Sequence, residues 1–464
     1  MPRNFRVRFA SAALACATIA GSLVINPTQA QAANNGVALT PPMGWSSWNA
    51  FRCNITEGKI RAMADAMVKL GLKDAGYTYI NIDDCWQAST RDANGNLRGD
   101  PKRFPSGMKA LADYIHSKGL KAGIYATPGT RTCANIWDKY PGKLGSLGHE
   151  QQDANTFAKW GYDFLKYDWC KADDDGQDQQ AAFTKMARAL KKTGRPIVYS
   201  IHTEPELPVL AWEPTVANMW RTTPDIQDNW TSMIGTGLIN LFGQRYQRPG
   251  AWNDADMLEV GNGGMTYREY RTHMTLWSIM GSPLMIGTDL RKLHPSNLGL
   301  LNNPYMTAVN QDPLGAAAQT VYFNGQSLIV VRRLTYGRVA VAIFNLFGQV
   351  QQNSLWFSTL TQHGLKQSSN YLVTDVWGGY NRLGKRYVDG RLEKHDSIFY
   401  IVTPVTARQV DAFKRSEAAR KAHEKAETKR IREEKAQAYS EKVKAQKEAT
   451  QPAKDKSPLD KLFG

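Results

Sequence analysis

The chain is predicted to be an α/β protein: a (β/α)8 TIM barrel, then a C-terminal antiparallel β-sandwich and a charged helical tail. Three observations predict this. Helical and strand patterns alternate from Pro42 to about Asp289, which implies a parallel sheet. Eight such units in roughly 250 residues match the size of a closed barrel. Successive strand patterns end in acids, tryptophans or cations, as residues at the C-terminal mouth of a barrel would. An open doubly wound sheet is the alternative, but no GxGxxG follows the first strand.

A first strand is expected at 43–48. Ile60, Met63, Met67 and Leu70 recur at helical spacing, and 77–82 reads as a strand. Helix 108–118 precedes strand 122–126, helix 151–160 precedes strand 163–167, and helix 181–191 precedes strand 196–200. A strand at 218–221, a helix at 229–242, a strand near Ala251, a helix at 268–279 and a strand at 283–286 complete the barrel. Trp45 and Trp48 close the first strand, and Asp83, Asp84 and Trp86 the second. Tyr125 closes the third, Lys166 and Asp168 the fourth, Arg221 and Asp225 the sixth, Asp254 and Asp256 the seventh. Any one acid is compatible with a helix N-cap; acids at so many strand ends point to a site.

Domain boundaries are expected at 1–32 (signal peptide), 33–312 (barrel), 313–405 (antiparallel β domain) and 406–464 (tail, helical or disordered). Arg3, Arg6 and Arg8 precede an apolar run at 10–25, and Ala30-Gln31-Ala32 is a small-x-small cleavage site. The run is short and broken by Ser and Gly, unlike a transmembrane span, so the chain is expected to be secreted or periplasmic. Cys16 leaves with the signal. Cys53, Cys85, Cys133 and Cys170 remain, an even set that allows three disulfide connectivities. No CxxC or HxxxH spacing supports a metal site.

Patterns at 327–334, 338–346, 371–377 and 397–403 read as strands of the β domain. Residues 407–449 lack Gly and Pro and carry i,i+4 pairs such as Arg420/Glu424, Arg430/Glu434 and Lys444/Glu448. With Leu and Ile nearly absent, no coiled-coil seam is sustained. The tail reads as a solvated helix, or alternatively as a basic tether to an anionic envelope. Net charge is +16, but residues 409–464 with 15 basic and 10 acidic side chains, together with the N-terminal arginines, supply half of it. The barrel is only mildly basic, which argues against a nucleic-acid partner.

An exported barrel with acids and tryptophans at its mouth suits a carbohydrate substrate. Cleaving a glycosidic bond takes two carboxyl groups. Asp168 is the candidate nucleophile, since Lys166 shares its strand face and would keep it ionised. Asp225 is the candidate acid/base, with Trp220 and Pro224 expected to raise its pKa by desolvation. Asp228 is a local rival that reads better as a helix N-cap.

The sequence resembles the melibiase-type α-galactosidases of glycoside hydrolase family 27 from about Leu39 to Thr403. The resemblance rests on Thr40-Pro41-Pro42-Met43-Gly44-Trp45, Asn81-Ile82-Asp83-Asp84-Cys85-Trp86 and Lys166-Tyr167-Asp168-Trp169-Cys170. Trp220-Arg221-Thr222-Thr223-Pro224-Asp225-Ile226, Trp252-Asn253-Asp254-Ala255-Asp256-Met257 and Asn310-Gln311-Asp312-Pro313-Leu314-Gly315 also match. It implies a retaining exo-glycosidase that removes terminal α-D-galactosyl residues by double displacement, without a cofactor. It also implies Asp168 as nucleophile, Asp225 as acid/base, and Trp48, Asp83, Asp84, Tyr125, Lys166, Arg221, Asp256 and Met257 as sugar-pocket residues. Among the disulfide connectivities it selects Cys53–Cys85 and Cys133–Cys170. The run after the fifth strand departs from the family: Ile201 stands where Cys is usual, and the partner position near Ala217 lacks Cys too. His202 or Glu204 is expected to meet the sugar's 2-position. α-N-acetylgalactosaminidase and β-L-arabinopyranosidase activities are therefore retained as alternatives, and a galactose-binding, lectin-like protein is the non-enzyme alternative.

Overall fold

A computed structural model describes residues 35–204, 211–384 and 386–449. The signal segment 1–32 with Cys16, and the tail end with Pro452 and Pro458, lie outside the described residues.

The barrel opens with β1 (Met43–Ser46), α1 (Ser47–Phe51), α2 (Glu57–Lys69), β2 (Tyr79–Asn81), α3 (Gly107–Ser117), β3 (Lys121–Ala126), α4 (Cys133–Trp137), α5 (Glu150–Trp160) and β4 (Phe164–Asp168). It continues with α6 (Gln179–Lys192), β5 (Val198–His202), α7 (Glu213–Val216), β6 (Met219–Arg221), α8 (Trp230–Phe242), β7 (Trp252–Asp254), α9 (Tyr267–Met280) and β8 (Leu284–Ile286). The strands are parallel and ordered β7-β6-β5-β4-β3-β2-β1-β8. The ring closes beyond β7: Asp256 adopts φ 78°, and Leu258 then forms a parallel bridge with Ile286. The Leu258 N–H donates to Met285 O at 2.7 Å, and the Gly287 N–H to Leu258 O at 2.9 Å.

Local chemistry accounts for these elements. Thr56 caps α2 by accepting the Lys59 N–H, and Ile60, Met63, Ala64 and Met67 bury one helical face. Thr266 and Glu269 form a capping box at α9, which ends at Gly281 with φ 67°. The helix is buried from Thr272 to Met280 because it is enclosed by the barrel and the β domain.

Strand periodicity assembles the interior in layers. Tyr79, Phe164, Val198, Met219, Trp252 and Met285 fill the apolar floor. Two residues further along their strands lie Asn81, Lys166, Ser200, Arg221 and Asp254, and Asp168 and His202 follow two beyond Lys166 and Ser200. A chain of alternating faces thus carries the barrel from hydrocarbon to charge. Gly44 belongs to this interior: a Cβ there would lie 2.5 Å from the Tyr79 carbonyl oxygen.

One expected boundary is corrected. β1 ends at Ser46, so Trp48 lies on α1 rather than closing the strand. It is partly buried, packs against the interior cluster, and has the Arg52 guanidinium over its ring at 4.8 Å.

After α10 (Pro295–Leu301) and α11 (Pro304–Asn310) come β9 (Ala318–Phe323), β10 (Ser327–Arg333), β11 (Val339–Asn345), β12 (Gln351–Trp356), α12 (Phe357–Gln362), β13 (Asn370–Asp375), β14 (Tyr380–Gly384), β15 (Tyr387–Leu392) and β16 (Ser397–Val405). Six strands form one sheet, β14-β13-β16-β11-β10-β9, and β12 pairs with β15 in a second. Ile329 and Val331 of β10 face the second sheet's core, whereas Leu328 and Val330 join the barrel's core. Arg332 shares that inner face and is fully buried. It donates to the carbonyls of Ala316, Ser278, Val309 and Asn310 at 2.8–3.3 Å, and so meets the C-terminal ends of α9 and α11. Asp312 completes the junction by accepting from the Thr335 N–H, the Thr335 hydroxyl and Arg338.

The tail forms α13 (Ala407–Ala449), exposed around nearly its whole circumference. Arg420 pairs with Glu424, and Arg430 with Glu434. Arg332→Met should lower stability by roughly 2–4 kcal/mol, because it strands several buried carbonyls. Urea unfolding measures this; an unchanged midpoint would remove Arg332 as the interdomain anchor.

Candidate active site

At the barrel mouth two cations are embedded among carboxylates. Lys166 Nζ lies 3.0 Å from Asp83 Oδ2 and 3.7 Å from Asp168 Oδ2. Arg221 Nη2 lies 3.1 Å from Asp225 Oδ1 and 3.0 Å from Asp256 Oδ2. The strand parity expected for Lys166 and Asp168 is therefore observed. One cavity is lined by Asp83, Lys166, His202, Arg221, Asp254, Asp256 and Met257, together with Ser46 and Ser200.

Asp168 is buried, and burial alone would raise its pKa. His202, Lys166 and Arg221 outweigh that and hold it well below the ordinary carboxylate range. Its Oδ1 lies 3.1 Å from His202 Nδ1. The neighbouring Cys133–Cys170 disulfide and the Cys53–Cys85 disulfide are both present. Cys85 and Cys170 adopt positive φ, 72° and 47°, directly after Asp84 and Trp169. The Cys133 and Cys170 sulfurs and an Asp168 oxygen lie within 4.8 Å of one another, but the bridge occupies both sulfurs.

Asp83 accepts from the Ser46 hydroxyl at 3.3 Å as well as from Lys166. Asp84 accepts from the Cys85 and Ala134 N–H groups at 2.6 and 2.8 Å, fixing the loop against the start of α4. Burial nevertheless pushes its pKa up to about 7. Tyr125 is buried, 3.1 Å from Cys170 Sγ, and its ring faces Lys166 Nζ at 5.3 Å. Asp256 accepts from the Met257 and Ile226 N–H groups, both at 2.8 Å, so it ties the loop after β7 to the residue following Asp225.

Asp225 corrects an expectation. Its side chain is 70% exposed; local desolvation raises its pKa, but Arg221, His202 and Lys166 bring the net direction below the ordinary value. Trp220 does not enclose it: Trp220 joins the outer core, on the strand face opposite Arg221, and Pro224 is exposed. Asp228 is not the helix cap either. Asn229 caps α8, while Asp228 accepts from the Tyr270 hydroxyl at 3.0 Å and from the Gly264 N–H. Glu204 lines a separate surface cleft with Trp169, Asp173 and Trp212, beside the mouth.

Glu259 was not anticipated. Buried beyond Met257, it accepts from Asn49 and Asn262 and joins α1 to the loop after β7. Burial pushes its pKa up to about 7. The one sequence signal was an acid inside the apolar run Met257–Val260.

The family model described as Alpha galactosidase A matches residues 40–312, and that of the Alpha galactosidase C-terminal beta sandwich domain matches residues 324–402. The chain is 44% identical to alpha-galactosidase 2 of Arabidopsis thaliana, over 80% of its own length and 91% of that relative. It is 40% identical to the alpha-N-acetylgalactosaminidase of Gallus gallus, over 80% and 92% respectively. The crystal structure of alpha-galactosidase I from Mortierella vinacea is similar, with a TM-score of 0.73, 33% identity, and coverage of 80% of this chain and 98% of that one. The matched models span both folded domains, and the chain is a glycoside hydrolase belonging to the melibiase-type α-galactosidases of glycoside hydrolase family 27.

Proposed function

We propose that the protein is an exported exo-glycosidase that removes terminal α-D-galactosyl residues with retention of configuration. The observation that carries this reading is two carboxylates of one barrel mouth, each held against its own cation: Asp168 against Lys166, with His202 beside it, and Asp225 against the buried Arg221. In the first step Asp168 attacks the anomeric carbon while Asp225 gives its proton to the departing oxygen. In the second, Asp225 takes a proton from water as water attacks the same carbon and releases Asp168. The ionised state of Asp168 is what a nucleophile requires.

Asp83 and Asp84 are assigned to the 4- and 6-hydroxyls, and Lys166 to the 3- and 4-hydroxyl region. Trp48, Tyr125, Arg221, Asp256 and Met257 complete the proposed pocket. Asp83, Lys166, Arg221, Asp256 and Met257 line one cavity, which supports grouping them. The altered run at Ile201, His202 and Thr203 supports a second reading, acceptance of an acetamido group at the 2-position.

On a 4-nitrophenyl α-galactoside, NMR should detect α-galactose as the first product; β-galactose would exclude double displacement. Asp168→Asn should lower kcat by orders of magnitude, and normal turnover would reject the assignment. Comparing kcat/KM for α-galactoside, α-N-acetylgalactosaminide and β-L-arabinopyranoside should favour the first. A higher value for the second would move the assignment to the acetamido sugar.

The lowered pKa of Asp225 sets the sign of the pH dependence. A general acid acts when protonated, so kcat/KM on alkyl galactosides should rise as pH falls from 7 toward 4. A 2,4-dinitrophenyl leaving group, which needs little protonation, should show a much flatter profile. Equal slopes for the two substrate classes would remove Asp225 as the acid.

A further inference from the structure

We propose that His202 is a catalytic residue that acts on the nucleophile and accelerates the second displacement at the expense of the first. This rests on the reading of Asp168 as nucleophile. β4 and β5 pair in parallel with Asp168 opposite His202, and the Trp169 N–H donates to His202 O at 3.0 Å. The two side chains are therefore neighbours on one rim. Both residues are 6% exposed, and Nδ1 lies 3.1 Å from Asp168 Oδ1. Lys166 approaches the other oxygen, at 3.7 Å, and lies closer to Asp83. The imidazole is thus the closer neighbour of Asp168, and its Nδ1 approaches a single oxygen of the carboxylate.

That asymmetry has a kinetic consequence. In the first step Oδ2 of Asp168 bonds to the anomeric carbon as the bond to the leaving oxygen breaks, and Asp225 supplies the proton. Negative charge leaves the carboxylate, and the hydrogen bond on Oδ1 weakens. In the second step a water oxygen bonds to the anomeric carbon, its proton passes to Asp225, and the ester electron pair returns to Asp168. Negative charge reappears on the carboxylate, and the same hydrogen bond strengthens. A donor on Oδ1 therefore opposes formation of the glycosyl-enzyme and assists its hydrolysis. Only the step in which the bond strengthens gains rate from it.

The test is pre-steady-state kinetics of the full chain on 2,4-dinitrophenyl α-galactoside, whose leaving group makes formation of the intermediate fast. His202→Ala should lower kcat about 10- to 100-fold and KM in parallel, leaving kcat/KM within about threefold of the parent. A burst of dinitrophenol equal to the enzyme concentration should appear, and azide should restore turnover by attacking the trapped sugar. His202→Asn places an amide nitrogen the same number of bonds from Cβ as Nδ1, and should recover kcat and the parent's steady-state rate after the burst. His202→Gln keeps the bulk but displaces the donor by one bond, so it should behave like His202→Ala and stands in should the alanine variant not fold. Equal losses in kcat and kcat/KM without a burst, or unaltered kinetics, would overturn the proposal. Absence of turnover by the parent would instead strike the glycosidase reading itself, and full turnover by Asp168→Asn the assignment of the nucleophile on which the proposal rests.

Discussion

Lys166 and Arg221 are the charges on which the barrel mouth depends. Five carboxylates, from Asp83, Asp168, Asp225, Asp254 and Asp256, converge on these two cations. All but Asp225 are buried, and removing charges from water is costly unless opposite charges stand close by. Burial pushes Asp254 up to about 6 even with Arg221 near it, whereas Asp168, touched by Lys166 and His202, is driven the other way. Two buried aspartates at one barrel mouth thus have different affinities for a proton. Cation placement, rather than burial, separates them.

That placement is set by β geometry. With a repeat of two residues, a strand that fixes Phe164 in the apolar floor must present Lys166 and Asp168 above it. Met219 and Arg221 follow the same rule on β6. The chemistry is thereby fastened to rigid elements, and the loops beyond them add Asp83, Asp84, Asp225 and Asp256. Positive-φ residues at Cys85, Cys170 and Asp256 mark where those loops leave the strands. Such conformations persist only when their surroundings enforce them; the two disulfides and the hydrogen bonds of Asp256 do so here.

Much of this was legible in the sequence. The alternation of periods located all eight barrel strands, and acids at strand ends located the mouth. The β domain was read less completely. β12, β14 and β15 are rich in polar residues and β9, though partly apolar, is mostly exposed, so they lack the long buried apolar run that betrays β10 and β11. Trp48 was placed on a strand because nothing in Ser46-Ser47 announces a helical turn. The pKa of Asp225 was read from apolar neighbours in sequence, yet side-chain direction decides which neighbours matter, and Arg221 is the one that faces it. Arg332 is invisible to any pattern rule, since an arginine near a strand end ordinarily reads as exposed. Its burial follows only from the docking of the two domains.

The ring of strands is joined at Leu258, two residues after Asp256. The proposed sugar pocket and the architectural joint therefore share one short stretch of backbone. A ligand held by Asp256 and Asp83 together would span that joint like a staple, and its free energy of association would be added to the cohesion of the cylinder. Occupancy and resistance to heat would then rise together, with the greatest gain in amide protection along 256–260.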